Sequence, residues 1–360
     1  MRGNVTAKLR IPPVPDHTVV SRLVLRAPNW LGDAVLALPA MTALRRHFAD
    51  AHLAVAAVPG VAPMFREGTG VSPDSVIEVG LRPRETAALL EGGGFELGIL
   101  FPNSFRSAWV LRRARIPARW GYGTSLRGWM LTRRSVRERR RGVQHHSDYF
   151  RGLVRGLGVP CGDEPPHLEP SRQSLERASA LLAQRGIPAD ATLIGFAPGA
   201  AYGEAKRWLP DRVADVAARL VRERNATCLI LGAPHDRPAA RAIESWLRSH
   251  APDAAARVID LVGRTSLGTL AGIAARCRVF VSNDSGAMHL AAAIGRRVVA
   301  IFGPTDERAT RPIGAHEVLT ASVFCRPCLL RDCPIDHRCM KRISSDRVFA
   351  AVSAQMGLEV

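Results

Sequence analysis

The chain has 360 residues, of which 47% are apolar and 23% charged, and its formal net charge is +18. This composition is typical of a globular protein; no apolar run approaches the roughly 20 residues of a membrane span, and residues 1–22 hold no apolar core of signal-peptide length, so we expect neither a membrane-spanning nor a secreted protein. The positive charge favours acidic partners, although an arginine-biased genome would produce a similar count.

The first half of the chain alternates short apolar strands with amphipathic helices. This alternation is typical of a parallel sheet with helices on both faces. The predicted elements are strand 22–26, helix 33–48 (which contains Pro39), strands 52–58 and 95–101, and helix 104–114.

A stretch rich in proline and acidic residues, 159–170, is interpreted as a linker and precedes a bridging helix at about 171–186. A second alternating set follows, with strands at 192–198, 227–232, 257–263, 278–284 and 296–303 and helices at 211–224, 237–250, 266–277 and 286–295. The fold class is therefore α/β, with two Rossmann-like doubly wound domains that face a cleft. The expected limits are an extension at 1–20, domains at 21–165 and 188–345, a connecting segment at 166–187 and a C-terminal helix at 346–360.

The first motif is "APNWLGDAVLALPA" at 27–40, in which Asp33 follows a strand and a glycine turn. An aspartate at this position is commonly an N-cap that satisfies free helix amides. It also lies at the carboxyl end of a strand, where a general base would face the cleft. Both interpretations stay open.

The second motif is "PGAAYGEAKRW" at 198–208. Only three of the 50 basic residues are lysines, and one of them, Lys206, stands here. Small residues, Gly199 among them, let the backbone approach a ligand closely, and helix amides with a lysine could hold a phosphate. A solvated loop lysine is the alternative, which the scarcity of lysine weakens. The stretch does not match a Walker A loop.

Two further strand ends carry polar residues. "SNDSGAMHLAAAIG" at 282–295 places Asp284, Ser285 and Gly286 at a strand-to-helix switch, with His289 one turn later, although a lone helical histidine is usually structural. "FGPTDERAT" at 302–310 adds Gly303 and Thr305. Because neighbouring strand ends share one sheet edge, these motifs together predict a nucleotide diphosphate site.

The cysteines pose a separate question. Seven cysteines without a signal peptide indicate a reducing compartment. Four of them, in "CRPCLLRDCPIDHRC", could form a structural zinc site through Cys325, Cys328, Cys333 and Cys339. Reduced, partly buried thiols are the default interpretation, because ordinary zinc ribbons separate their cysteine pairs by longer loops.

The basic tract "RRSVRERRRGVQHH" at 133–146 is either a solvated charged segment or a platform for phosphorylated lipid or nucleic acid. Neither interleaved aromatic residues nor a nucleic-acid motif supports the second choice.

Five stretches of the sequence occur together in one order. They are "RAPNWLGDAVLALPAMTALRRHF", "PNSFRSAWVLRRARIPARWGYGTSLRGWML", "APGAAYGEAKRWLP", "NDSGAMHLAAAIGRRVVAIFGPTD" and "CRPCLLRDCPIDHRCM". Over residues 22–348 the chain resembles the lipopolysaccharide heptosyltransferases of glycosyltransferase family 9. "APNWLGDAV", "PNSFRSA" and "YGEAKRW" resemble the subgroup that acts on the first heptose of the inner core.

The resemblance implies a GT-B fold, with the acceptor in the N-terminal domain and ADP-L-glycero-D-manno-heptose in the C-terminal domain. The acceptor would be the first heptose on Kdo-lipid A, and transfer would invert the anomeric centre without a cofactor or divalent metal. Its lipid anchor implies peripheral attachment to the anionic inner face of the cytoplasmic membrane, and no nucleic-acid partner is expected.

The resemblance also implies roles for single residues. Asp33 would be the general base, Lys206 would contact the donor diphosphate and Asp284 would hold the donor sugar. The adjoining donor residues would be Gly199, Ser285, Gly286, His289, Gly303 and Thr305, with Asp236 a candidate for the adenosine ribose. The acceptor contacts would come from Asn103, Ser104, Arg106 and Ser107.

Three alternatives stay open at this point. A family 9 transferase with another acceptor or sugar would share the donor motifs. A nucleic-acid-binding protein would use the basic tract and would show a steep salt dependence without sugar transfer. A two-domain binding protein without catalysis would tolerate the loss of Asp33.

Overall fold

The computed structural model describes residues 20–80, 82–137 and 142–357. The expected extension at 1–20 therefore lies almost wholly outside the described residues, as do 138–141 of the basic tract. Two six-stranded sheets, each with all its strand pairs parallel, make up the described fold. This confirms the α/β prediction of two Rossmann-like halves.

The N-terminal sheet has the strand order β3-β2-β1-β4-β5-β6. Its strands are β1 (Arg22–Arg26), β2 (His52–Ala57), β3 (Ser75–Glu78), β4 (Leu97–Leu100), β5 (Ala118–Tyr122) and β6 (Arg133–Ser135). The helices of this half are α1 (Leu31–His47), α2 (Pro83–Glu91), α3 (Phe105–Arg113) and α4 (His146–Gly156). The central strand β4 reads LGIL and is buried at every position, as expected for a parallel strand that is covered on both faces.

Helix α5 (Arg172–Gln184) connects the two halves and packs on α9 of the second half. The C-terminal sheet has the order β12-β11-β10-β7-β8-β9. Its strands are β7 (Leu193–Ala197), β8 (Thr227–Ile230), β9 (Val258–Asp260), β10 (Cys277–Asn283), β11 (Arg297–Phe302) and β12 (His316–Thr320). Its helices are α6 (Pro210–Arg224), α7 (Arg237–His250), α8 (Pro252–Ala255), α9 (Leu267–Arg276), α10 (Gly286–Ala293), α11 (Glu307–Thr310), α12 (Arg338–Lys341) and α13 (Ser345–Gly357).

The two sheets share one topology. Counted from the first strand of each half, both follow the order 3-2-1-4-5-6, which reverses direction between the first and fourth strands. Ligands bind at this reversal, outside the carboxyl ends of the strands, because the loops on either side of it diverge and leave a crevice. The fold therefore presents two such crevices, one between β1 and β4 and one between β7 and β10.

The two halves are joined by apolar packing. Leu290 and Ala293 of α10 and Ala271 of α9 are buried in the same hydrophobic cluster as α1 and the N-terminal sheet. Burial of apolar surface stabilises contacts in proportion to the area removed from water. The cleft between the halves is thus closed on one side by an apolar contact between helices.

Most predicted elements agree with the structure to within three residues at each end, and Pro39 lies inside α1 without ending it. Helix α1 begins at Leu31, with Trp30 as its N-cap, so Asp33 lies in the first turn and does not cap the helix. The N-cap interpretation of Asp33 was wrong. The predicted elements did not include β3, α2, β5, β6, α4, α8, α11, α12 and β12. The domain limits stay predictions; the last predicted helix corresponds to α13, with 358–360 outside the described residues.

Candidate functional site

The polar loops that follow β1 and β4 surround a cavity in the N-terminal half. The cavity encloses about 1150 Å³ and is lined by residues 28–30 and Asp33 after β1, by residues 101–104 after β4, and by Gln144, His146 and Tyr149 near the start of α4. It therefore occupies the crevice at the reversal of strand order. Its size suits a sugar rather than a single ion.

Asp33 faces this cavity from the first turn of α1, and its side chain is about one third exposed. Its Oδ1 lies 3.0 Å from Nδ1 of His146, the first residue of α4. A carboxylate that is held by a histidine and also reaches a cavity can accept a proton from a bound hydroxyl group. His146 therefore orients the carboxylate that the sequence analysis selected.

The wall of the cavity rests on a buried arginine that sequence reasoning missed. Arg127 is fully buried, and it donates to the Tyr122 carbonyl at 3.0 Å, to Asn103 Oδ1 at 3.1 Å and to Ser107 Oγ at 3.1 Å. Burial lowers the pKa of Arg127 to about 10. Because the guanidinium cannot rotate without losing these bonds, it fixes the loop after β4.

The four predicted acceptor residues divide into two pairs. Asn103 and Ser104 line the cavity, and Asn103 also donates to the Tyr149 hydroxyl group. Ser107 and Arg106 do not line it. Ser107 hydrogen-bonds within its own loop, and Arg106 lies on the outer surface beside α2.

In the C-terminal half, Lys206 and Asp284 come together at the crevice between β7 and β10. Lys206 Nζ lies 2.6 Å from Asp284 Oδ2, and the two side chains are only 13% and 5% exposed. The Thr305 hydroxyl donates to the same oxygen at 2.7 Å, and the Tyr202 ring lies 4.8 Å from the ammonium. The solvated-loop interpretation of Lys206 is therefore wrong.

The loop around Lys206 is close-packed. A side chain at Gly199 would begin 2.3 Å from the Asp236 carboxylate carbon, so it would have to displace this buried carboxylate. Asp236 is buried, accepts a bond from the Ala233 amide at 3.0 Å and pairs with Arg207 at 3.3 Å. Its carboxylate therefore has protein partners, and it supports the loop next to Lys206.

The start of α10 completes this side of the crevice. Ser285 is its N-cap, with a hydroxyl 3.0 Å from that of Ser282, and Gly286 is its first residue. Gly303 follows β11, where an added side chain would meet Met340 at 2.8 Å and where the glycine carbonyl accepts from Arg326. The structure thus brings the predicted donor residues to one edge of the second sheet.

The two crevices meet where α1 and α10 touch. A methyl group at Gly286 would lie 3.1 Å from the Gly32 amide, and one at Gly32 would lie 2.9 Å from the His289 ring. His289 is buried with its Nδ1 unpaired, and burial lowers its pKa to about 4. Asp33 therefore stands one residue from the contact and Asp284 two residues from it, at the mouth shared by both halves.

The four cysteines of 325–339 contribute to the wall of one small pocket against Ala205. All four are free thiols. Across residues 20–80, 82–137 and 142–357, no three His, Cys, Asp or Glu side chains are arranged to hold a metal ion, so the geometry does not support the zinc interpretation.

The cysteine-rich loop instead supports the Lys206 loop. The Ala205 amide donates to the Arg331 carbonyl at 2.8 Å, His337 Nε2 lies 2.8 Å from the Ala205 carbonyl, and the Tyr202 hydroxyl donates to the Leu329 carbonyl at 2.8 Å. These bonds place the loop directly behind the lysine.

The basic tract is only partly a solvated segment. Its first residues form β6, an edge strand in which Arg133 lies 5.0 Å from the Trp120 ring. Of its last residues, His145 is the N-cap of α4 and His146 is the first residue of that helix, and Arg137 lines the cavity. In the described part of the chain, no helix is both long and apolar enough to cross a membrane.

Comparison with known proteins gives a consistent result. The model of glycosyltransferase family 9 (heptosyltransferase) matches residues 85–338. Lipooligosaccharide heptosyltransferase 2 of Haemophilus ducreyi is 29% identical over 312 residues, which cover 83% of this chain and 88% of that protein. Lipopolysaccharide heptosyltransferase 2 of Escherichia coli K12 is 28% identical over 302 residues, 81% and 85% of the two chains.

Two solved structures have the same fold. The structure of ADP-heptose LPS heptosyltransferase II of E. coli superposes with a TM-score of 0.79 at 24% identity and covers 93% of this chain and 98% of its own. A family 9 glycosyltransferase of Veillonella parvula superposes with a TM-score of 0.78 at 22% identity, covering 93% and 97%. These structures match in both halves of the chain.

Proposed function

Because this chain belongs to glycosyltransferase family 9, the heptosyltransferase family, we propose that it transfers heptose from ADP-L-glycero-D-manno-heptose to the first heptose of the lipopolysaccharide inner core. It is a glycosyltransferase enzyme. The residue assignments rest on one observation. The α1–α10 contact has Asp33 of the first crevice on one side and the Lys206–Asp284 pair of the second crevice on the other.

In the proposed reaction, a hydroxyl oxygen of the acceptor forms a bond to the anomeric carbon while the bond from that carbon to the diphosphate oxygen breaks. ADP leaves with the electron pair, and Asp33 takes the hydroxyl proton. A single displacement inverts the anomeric centre and needs no carboxylate nucleophile. His146 contacts one oxygen of this carboxylate, which leaves the second oxygen to accept the proton.

Negative charge grows on the departing diphosphate and requires stabilisation. An ammonium group has three N–H donors, so Lys206 can keep its bond to Asp284 and still donate to a phosphate oxygen. The free amides at the start of α10 add a partial positive charge. Charge stabilisation of this kind is worth about 3–4 kcal/mol per donor, and the proposed step therefore needs no divalent cation or other cofactor.

Asp284 has a second role in this proposal. Lys206 and Thr305 both contact its Oδ2, which leaves Oδ1 to accept a hydroxyl group of the donor heptose. The neighbouring donor contacts would come from the backbone at Gly199, Ser285 and Gly303, where the chain approaches closely. Asn103 and Ser104 would bind the acceptor sugar from the opposite wall.

The acceptor is an anionic lipid, and the chain carries a net charge of +18. We therefore propose peripheral attachment to the inner face of the cytoplasmic membrane, weakened by salt because surface charges are screened.

Mass spectrometry of the purified protein with ADP-heptose and defined lipid A–core acceptors tests the proposal. The expected product is the Kdo–lipid A acceptor with one heptose, extended by a second. Extension only of another acceptor, or only from another nucleotide sugar, would identify a different family 9 transferase. Retained turnover after addition of a chelator is expected, and its loss would refute the metal-independent step.

A further inference from the structure

One outer face of the N-terminal half combines exposed apolar side chains with arginines. Its apolar members are Phe105, Leu126 and Trp129, and its basic members are Arg84, Arg106 and Arg112; we call these six residues the aromatic–arginine patch. Phe105, Leu126 and Trp129 are 46%, 91% and 58% exposed. Single exposed apolar residues are ordinary on protein surfaces, whereas a contiguous group marks an interaction site.

The patch is contiguous. The Phe105 and Trp129 rings lie 6.5 Å apart, and the Arg112 guanidinium lies 4.7 Å from the Trp129 ring. Phe105 and Arg106 of α3 share a groove of about 620 Å³ with Arg84 of α2. Leu126 stands three residues before Trp129.

Leu126 is displayed by its backbone. Its φ is 55° and that of Ser125 is 53°, a left-handed turn that non-glycine residues adopt rarely. The turn leaves the Leu126 side chain almost fully exposed, while the next residue, Arg127, is fully buried. The buried arginine therefore anchors the turn that carries an apolar tip outward.

The patch carries a net positive charge. Arg82 pairs with Glu85 at 2.9 Å, so these two charges cancel. Among the residues that the structure describes, Arg84, Arg106 and Arg112 form no ion pair with a carboxylate. Three positive charges around aromatic and leucine side chains complement an anionic bilayer, whose interface accepts aromatic rings and whose headgroups attract arginine.

The patch also adjoins the cavity of the N-terminal half. Phe105 directly follows Ser104, which lines that cavity. When the sugar of a lipid-anchored acceptor occupies the cavity, the acyl chains of that acceptor remain in the membrane. The membrane surface must then lie close to the cavity and to the patch beside it. We propose that the aromatic–arginine patch inserts into the headgroup region of an anionic bilayer and sets the orientation in which the enzyme meets its acceptor. This rests on the proposed function, because only a membrane-held acceptor requires it.

Co-sedimentation of the full chain with vesicles tests the patch. Phosphatidylglycerol vesicles should bind the wild-type protein, and phosphatidylcholine vesicles should bind it at least about tenfold more weakly. The double variant Leu126→Glu, Trp129→Glu should lose binding to the anionic vesicles by about tenfold or more. Arg84→Gln should weaken it about fivefold. The matched control is Leu175→Glu on α5, a leucine that is 40% exposed and lies outside the patch.

A transfer assay with a deacylated, water-soluble acceptor separates the role of the patch in membrane binding from the catalytic step. The double variant should keep the wild-type rate with this acceptor and lose rate with the acceptor embedded in vesicles. Leu126→Asn, which suits the left-handed turn, gives the same comparison should the double variant fold poorly.

The proposal would be overturned if Leu126→Asn and the double variant bound vesicles as tightly as the wild-type protein does. It would also be overturned if the wild-type protein bound nucleic acid or a protein and did not bind the vesicles. Failure of the wild-type protein to extend the soluble acceptor would overturn the proposed function instead.

Discussion

We expect the loss of the buried Lys206–Asp284 ion pair to lower both the stability of the protein and its affinity for ADP. Lys206→Met removes the ammonium and leaves a carboxylate that is 5% exposed, with the Thr305 hydroxyl as its remaining contact. An uncompensated buried charge costs about 3 kcal/mol or more. For a domain of this size, that loss lowers Tm by about 6–12 °C.

The double variant Lys206→Met, Asp284→Asn removes both charges, and the amide oxygen still accepts from Thr305. We expect it to recover about 2 kcal/mol of the loss. ADP affinity should behave differently. It should fall at least about tenfold in Lys206→Met, because a charge-assisted hydrogen bond is lost, and the second substitution should not restore it.

Thermal unfolding and calorimetric titration with ADP measure the two effects. Lys341→Met is the matched control, because Lys341 is an exposed lysine on α12. A Lys206→Met variant with wild-type Tm would show that the ion pair does not form. Unchanged ADP affinity would remove Lys206 from the donor site.

Four further predictions follow from single residues. Asp33→Asn should keep ADP affinity and lower kcat by about 10²–10⁴-fold; a near wild-type rate would refute the base assignment. His146→Ala should lower kcat with little change in KM, and His146→Asn should restore part of it, because its amide can donate where Nδ1 does; equal activity of the two variants would contradict an orienting role. Burial lowers the pKa of His289 to about 4, below the roughly 6.5 of an exposed histidine. The stability that its neutral ring contributes is therefore complete above about pH 6.5 and falls by up to about 3 kcal/mol as the pH drops toward 4. Urea unfolding of His289→Leu should show a smaller loss over that window, and an unchanged loss would refute the assignment. Gly199→Ala should destabilise the protein by about 1–3 kcal/mol, since its methyl would lie 2.3 Å from a buried carboxylate carbon; Gly60→Ala, where no atom lies within 4 Å, is the control for urea unfolding, and equal stability of the two would contradict the close packing.

The predicted site residues at strand ends could be placed from the sequence because the rule is local. A strand that ends in a polar turn before a helix delivers its next residues to the crevice, whatever the rest of the chain does. Asp33, Lys206 and Asp284 were selected in this way, and the structure places each of them at a crevice. The capping error at Asp33 has an equally local cause. The N-cap of α1 is Trp30, which forms no side-chain capping bond. Because N-caps are usually Ser, Thr, Asp or Asn, the prediction selected Asp33, three residues too late.

Residues that act through distant partners could not be found in this way. Arg127 contacts a loop more than 20 residues earlier, and His146 reaches Asp33 over 113 positions. Both residues lie in arginine-rich stretches, where the sequence alone does not distinguish a buried side chain from a solvated one. The cysteine spacing posed the same difficulty, because it does not show that the loop lies behind Ala205.

The contact between Gly32 and Gly286 has a mechanical consequence. At this point the two lobes approach closely: a methyl group at Gly286 would lie 2.8 Å from the Leu31 side chain, and one at Gly32 would lie 2.9 Å from the His289 ring. An added methyl group at either position would therefore act as a wedge between the lobes. We expect such a wedge to increase the separation between Asp33 and Asp284, because both lie within two residues of the contact.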